Sequence, residues 1–139
     1  MRWLLAFFLA LTPCAVSSAV GCSCPRLKDP EKQANREEAQ REASVKLKVL
    51  TFAIQRNEDG EATGESSAVV VEQPENGERY PEKITVHSWG GDEGANCGAA
   101  SLLFQAVSSR RDIRVNLSRE ADGAYGLTPC ALRQIDPWR

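Results

Sequence analysis

Val45-Lys46-Leu47-Lys48-Val49 is the stretch that decides the fold class of this chain. Apolar and polar residues alternate through it with the period of two that is typical of a strand with one buried face. Lys83-Ile84-Thr85-Val86-His87-Ser88-Trp89 repeats the alternation, and Ser67-Ala68-Val69-Val70-Val71 is also rich in residues that favour strands. The chain is therefore predicted to be mostly β.

Other segments extend this pattern. Leu50–Ile54 continues the first strand, and Leu102–Phe104 and Ile113–Leu117 are predicted as further strands. Asn57–Gly60 with Thr63-Gly64 is predicted as a hairpin tip. About five short strands favour a small barrel or sandwich. The predicted core residues are Val45, Leu47, Val49, Val69, Val71, Ile84, Val86, Phe104, Val115 and Leu127.

One helix is predicted ahead of the first strand, from Pro30 to Ala43. Asp29 is suited to cap its N-terminus, Pro30 fits the first helical position, and Glu31 lies near the positive end of the helix dipole. The apolar side of this helix consists only of alanines. We therefore expect it to lie on the outside of the sheet.

Residues 1–21 have the order of a secretory signal peptide. Arg2 precedes the apolar run Trp3–Leu11, and small residues follow up to Gly21. Pro13 interrupts the run before it reaches the roughly 20 residues that a membrane span needs. We expect an exported protein, extracellular or periplasmic, with one mature domain over residues 22–139. Cleavage after Ala19 satisfies the same rule and would leave two residues in front of Cys22.

Composition and charge exclude several classes of function. The formal net charge is −2, and loss of Arg2 with the signal makes it −3, which does not suit a nucleic-acid partner. His87 is the one histidine, and no nucleophile motif accompanies it, so a packed or half-exposed histidine is expected. Paired carboxylates such as Asp92-Glu93 lie in polar segments where nothing would raise a pKa. We expect neither an enzyme nor a cofactor.

Cysteines provide the strongest clue to function. Cys14 leaves with the signal, and an oxidising compartment favours disulfides among the others, which can pair in three ways. Cys22 and Cys24 are one residue apart, so a bond between them would be strained and each is expected to reach Cys97 or Cys130. The Cys-x-Cys spacing is not that of a zinc knuckle, and we expect no metal site of the protein's own.

The ordered set of these pieces resembles the netrin-like domain family, which includes the tissue inhibitors of metalloproteinases. The pieces are Cys22-Ser23-Cys24-Pro25, the helix, Ala43-Ser44-Val45, Lys83–His87, Cys97-Gly98, Asp122-Gly123 and Leu127–Cys130. The resemblance covers most of the mature chain. It implies a five-stranded OB-like β-barrel with helices outside, and the disulfides Cys22–Cys97 and Cys24–Cys130.

The inhibitor branch of this family implies a mechanism. Its N-terminal cysteine binds the zinc of the protease through the α-amino nitrogen and the carbonyl oxygen, and the next side chain enters the specificity pocket. The resemblance assigns these roles to Cys22 and Ser23, with a zinc metalloproteinase or another extracellular protein as the partner. The chain lacks the extra cysteines and second small domain of animal inhibitors, and so resembles a simplified, microbial type. The alternative is a non-inhibitory binding or structural module whose cysteines only fasten the N-terminus.

Two modifications remain open from the sequence. Ala19-Val20-Gly21-Cys22 partly matches a lipoprotein cleavage box, and lipidation of Cys22 would remove both its disulfide and its free amine. Asn116-Leu117-Ser118 is a glycosylation sequon, which has meaning only in a eukaryotic secretory pathway.

Overall fold

The computed structural model describes residues 24–56, 58–60, 62–89, 99–128 and 130–136, with the backbone alone at Ala62 and Trp89. The elements in chain order are α1 (Pro30–Glu42), β1 (Val45–Val49), β2 (Ala53–Arg56), β3 (Ala62–Glu72), β4 (Lys83–Trp89), α2 (Ala99–Ser109), β5 (Ile113–Val115), β6 (Leu117–Arg119), β7 (Tyr125–Leu127) and β8 (Arg133–Ile135). The protein is mostly β with helices, as predicted. Neither described helix is long and apolar enough to cross a membrane.

The eight described strands form one curled sheet. Their order is β6-β7-β4-β3-β1-β5-β8, and β2 pairs with the remaining edge of β3. Neighbouring strands are antiparallel except β4 and β7, which run parallel where Val86 meets Tyr125 and His87 meets Gly126. The prediction of about five strands was too low. Val45–Ile54 is divided into β1 and β2, and Ile113–Leu117 belongs to both β5 and β6.

A β-bulge explains one wrong core prediction. Val70 and Glu72 on β3 pair with the consecutive residues Leu47 and Lys46 on β1, so Val71 is an extra residue in the ladder. Its side chain is 51% exposed. The prediction that Val71 lies in the core is therefore wrong.

Small residues form the inward face of β3. Gly64, Ser66 and Ala68 are buried, whereas Val69, a predicted core residue, is only half-buried. Gly64 was predicted in a turn but lies inside the strand. A Cβ at this position would lie 2.8 Å from Phe52 Cε2 and would also clash with Ser88, so glycine is what allows this close approach.

The core lies between the sheet and α2. The predicted core residues that are buried are Val45, Leu47, Val49, Ile84, Val86, Val115 and Leu127. The strand predicted at Leu102–Phe104 is wrong, because α2 occupies these residues. Ala99, Leu103 and Ala106 recur at helical spacing and are buried, while Phe104, a predicted core residue, is 59% exposed on the other side.

Helix α1 begins where the sequence predicted and buries no residue. The Asp29 side chain accepts hydrogen bonds from backbone N–H groups of the first turn, and Pro30 holds the first position. Its half-buried side is polar rather than apolar. Four half-buried side chains on it contact the rest of the protein through hydrogen bonds, and they are Gln33, Arg36, Gln40 and Glu42. Hydrogen bonds, rather than an apolar stripe, therefore hold α1 in place.

Candidate functional site

The predicted zinc-contacting residues, Cys22 and Ser23, lie outside the described residues, as does Cys97. The residue that follows them, Cys24, is bonded to Cys130 across 106 residues of sequence. This is the second pairing that the resemblance implied, and it is present. The Cys22–Cys97 bond stays a prediction.

Residues 24–27, which we call the N-terminal segment, are exposed and are held against α1. Arg36 Nη2 donates a hydrogen bond to the carbonyl oxygen of Pro25 at 3.1 Å. The backbone N–H of Leu27 donates to Gln33 Oε1 at 2.9 Å. With the disulfide at Cys24, these contacts attach the segment at three points within four residues.

Asn116 organises the other side of the disulfide. Its Nδ2 donates to the carbonyl oxygen of Gln40 at 2.8 Å, and its Oδ1 accepts from the backbone N–H of Leu132 at 2.9 Å. Gln40 Nε2 in turn donates to the carbonyl oxygen of Cys130 at 3.4 Å. The sequon asparagine is thus a half-buried structural residue. A glycan on Nδ2 would have to displace its contact with α1.

A second cluster surrounds His87 on β4, which is half-buried as expected, with 17% of its side chain exposed. His87 Nδ1 lies 2.7 Å from Glu120 Oε2, and Nε2 lies 3.3 Å from Glu65 Oε2. Asp122 Oδ2 is 4.0 Å from Nδ1. We call these four residues the His87 cluster. The sequence indicated Asp122 only as part of the Asp122-Gly123 piece and connected none of the three carboxylates with His87, although Glu65 is directly opposite His87 in the β3–β4 register.

The surroundings of His87 favour its protonated form. Partial burial lowers the pKa of the imidazole, but the hydrogen bond and charge of Glu120, the hydrogen bond of Glu65 and the charge of Asp122 outweigh this, so the pKa is raised from its usual 6.5. Both ring nitrogens face carboxylate oxygens, and only the imidazolium can donate to both. The cluster is therefore built to hold positive charge at the ring.

Two further features position the carboxylates of this cluster. Asp122 Oδ1 accepts a hydrogen bond from the backbone N–H of Ala124 at 3.0 Å. A Cβ on Gly126 would lie 2.8 Å from Glu120 Oε1, so the glycine leaves the space that this carboxylate occupies. The cluster borders a cleft of about 450 Å³ whose charged lining residues include Glu65, Lys83, Arg119 and Asp122.

An apolar cleft of about 470 Å³ lies elsewhere on the surface. Phe52, Ile54 and Phe104 line it, and the rings of Phe52 and Phe104 meet edge to face with their centroids 6.3 Å apart. We call these three residues the apolar patch. Ile54 and Phe104 are exposed, whereas Phe52 is half-buried and packs against the core. Exposed apolar side chains that adjoin one another mark a surface that is suited to binding another molecule.

No protein-family model, curated protein or solved structure matches this chain. The resemblance to the netrin-like family therefore rests on the sequence pieces quoted above alone.

Proposed function

We propose that this protein is an exported netrin-like domain of the OB-barrel type that inhibits a zinc metalloproteinase through Cys22 and Ser23. The observation that carries the proposal is the N-terminal segment, which follows directly after these two residues. It is exposed and is nevertheless attached by a disulfide at Cys24 and by hydrogen bonds at Pro25 and Leu27.

This arrangement suits a rigid inhibitory ridge. A catalytic zinc keeps an open coordination position, which the α-amino nitrogen and carbonyl oxygen of Cys22 would fill. Attachment of the neighbouring residues reduces the conformational entropy that is lost on binding. In the chain-entropy model, a disulfide that closes a loop of this length stabilises the fold by about 4 to 5 kcal/mol.

A non-inhibitory protein-binding module is the second candidate. The observation that favours it is the apolar patch, where Phe104 is 59% exposed and Ile54 is 37% exposed. In this alternative the cysteines only fasten the N-terminus, and partners bind through the patch.

A one-residue extension separates the two candidates. We expect the mature protein that begins at Cys22 to inhibit cleavage of a fluorogenic peptide by a zinc endopeptidase. Adding one Ala before Cys22 removes the α-amino group from the metal, so it should abolish inhibition while the disulfides and thermal unfolding stay unchanged. Equal inhibition by both forms would rule the mechanism out. If neither form inhibits any of a panel of zinc endopeptidases, the binding module is supported instead.

A substitution in helix α1 tests whether anchoring of the N-terminal segment contributes to inhibition. Arg36→Ala removes the hydrogen bond to Pro25 and should weaken inhibition by about two- to tenfold, since a hydrogen bond that is exposed to solvent contributes roughly 0.5 to 1.5 kcal/mol. Lys32→Ala is the matched control, because it also removes a cation from α1 but not this contact. An equal loss in both variants would mean that the positive charge of α1, and not the anchoring of the N-terminal segment, affects inhibition.

Replacing Ser23 with a bulky residue should change which endopeptidases are inhibited, because the side chain at this position would enter the specificity pocket.

A further inference from the structure

The His87 cluster places three different ligand groups around one point. One ligand atom from each of His87, Glu120 and Asp122 lies within 4.8 Å of the others. Two ligands of a tetrahedral zinc ion, each at about 2.1 Å from the metal, are about 3.4 Å apart. Small side-chain rotations would therefore bring all three atoms to coordination distance.

His87 Nε2, the ring nitrogen that would not bind the ion, has a carboxylate partner of the kind that metal-binding histidines use. If Nδ1 coordinates an ion, Nε2 carries the proton and donates to Glu65 Oε2, which is 3.3 Å away. Metal-ligating histidines usually donate their other N–H to such a carboxylate, which fixes the tautomer and the orientation of the ring. Glu65 lies on β3 and would hold the ring in place without itself contacting the ion.

The backbone leaves room for the ligands. Gly126 pairs with His87 across the β4–β7 ladder, and a side chain at this glycine would occupy the place of the Glu120 carboxylate. Asp122 uses Oδ1 for the backbone N–H of Ala124, which leaves Oδ2 on the side of His87. A divalent cation between these carboxylates would neutralise negative charge that the imidazolium now faces directly.

We propose that His87, Glu120 and Asp122 bind a divalent transition-metal ion, for which Zn²⁺ is the best fit. One imidazole with two carboxylates suits Zn²⁺ and related ions, whereas Ca²⁺ and Mg²⁺ are bound mainly through oxygen. The cysteine spacing predicted no metal site, whereas these ligands converge from a strand and from a turn that begins 33 residues further along the chain.

His87 is the one histidine of the chain, so its ring signals in NMR spectra report on this site alone. The mature protein, stripped with a chelator, is titrated with Zn²⁺. We expect the ring signals to shift and to saturate at a single equivalent, and Ca²⁺ at the same concentration to leave them unchanged. Ring signals that do not move with Zn²⁺, or that move as far with Ca²⁺, would overturn the proposal.

Matched variants identify the ligands. Glu120→Gln and Asp122→Asn should each weaken Zn²⁺ binding by at least about tenfold, and Glu65→Gln by about tenfold through loss of the contact to Nε2 of the imidazole. Asp59→Asn removes a carboxylate from an exposed turn and should leave the affinity unchanged. Amide spectra check that each variant is folded. Because the Asp122 side chain is 61% exposed, Asp122→Asn tests the site even if another variant does not fold. Unchanged affinity in Asp122→Asn would refute the assignment.

Discussion

Asn116 shows how a single residue can hold the disulfide region together. Its side chain contacts residues that are 76 and 16 positions away in sequence, one on α1 and one just after Cys130. No local pattern could reveal these partners, so the sequence indicated only a sequon. The same reason applies to the His87 cluster, whose carboxylates come from a facing strand and a turn.

Asn116→Ala should lower the free energy of unfolding by about 1 to 3 kcal/mol, because the carbonyl of Gln40 and the N–H of Leu132 would both lose a partner in a half-buried setting. Chemical denaturation measures this loss. Asn76→Ala is the control, since its side-chain hydrogen bond to Glu42 is exposed and should contribute much less. Equal losses for the two variants would contradict the role given to Asn116.

Of the two described helices, only α1 was predicted, and α2 was mistaken for a strand. The apolar run Leu102–Phe104 is short enough to suggest a strand, and the helical spacing is carried largely by alanines, which give a weak apolar signal. Helix α1 was predicted correctly because its start depends on local chemistry, an aspartate cap followed by proline. Local signals were therefore sufficient for α1, whereas α2 is defined by its packing against the sheet.

The C-terminus of α2 allows a test of how this helix ends. Arg110 follows the helix with a φ of 55°, and the N–H groups of Arg110 and Arg111 donate to the carbonyls of Val107 and Ala106, which is the Schellman pattern. Glycine adopts this conformation without the steric cost that a side chain brings, so Arg110→Gly should raise the free energy of unfolding by about 1 kcal/mol.

Ser109→Gly, one position earlier, is the matched control for this prediction. Ser109 is the last residue of the helix and has no positive φ, so glycine there relieves no strain and should lower stability by up to about 0.5 kcal/mol. Chemical denaturation of both variants should give effects of opposite sign. A loss of stability in Arg110→Gly would contradict the assigned cap.

For the whole molecule, the sequence predicted the β-rich class, the positions of β1 and β4, and most of the core. It could not predict the strand order, because β7 pairs with β4 through only two residue pairs, and β2 is a short strand with no buried residue. The sequence also did not predict which side of β3 is buried, because glycine, serine and alanine point inward where valines were expected. Interactions between distant segments, and not local propensity, decide these features.

The inhibitory mechanism depends on one covalent arrangement, a free amino group at Cys22 beside a disulfide-anchored Cys24. Mass spectrometry of the exported protein, intact and after proteolysis without reduction, determines this arrangement. We predict a first residue of Cys22 without lipid, one fragment that joins Cys22 to Cys97, and another that joins Cys24 to Cys130. A chain that begins at Val20, a lipidated Cys22, or free thiols at Cys22 and Cys97 would contradict the mechanism.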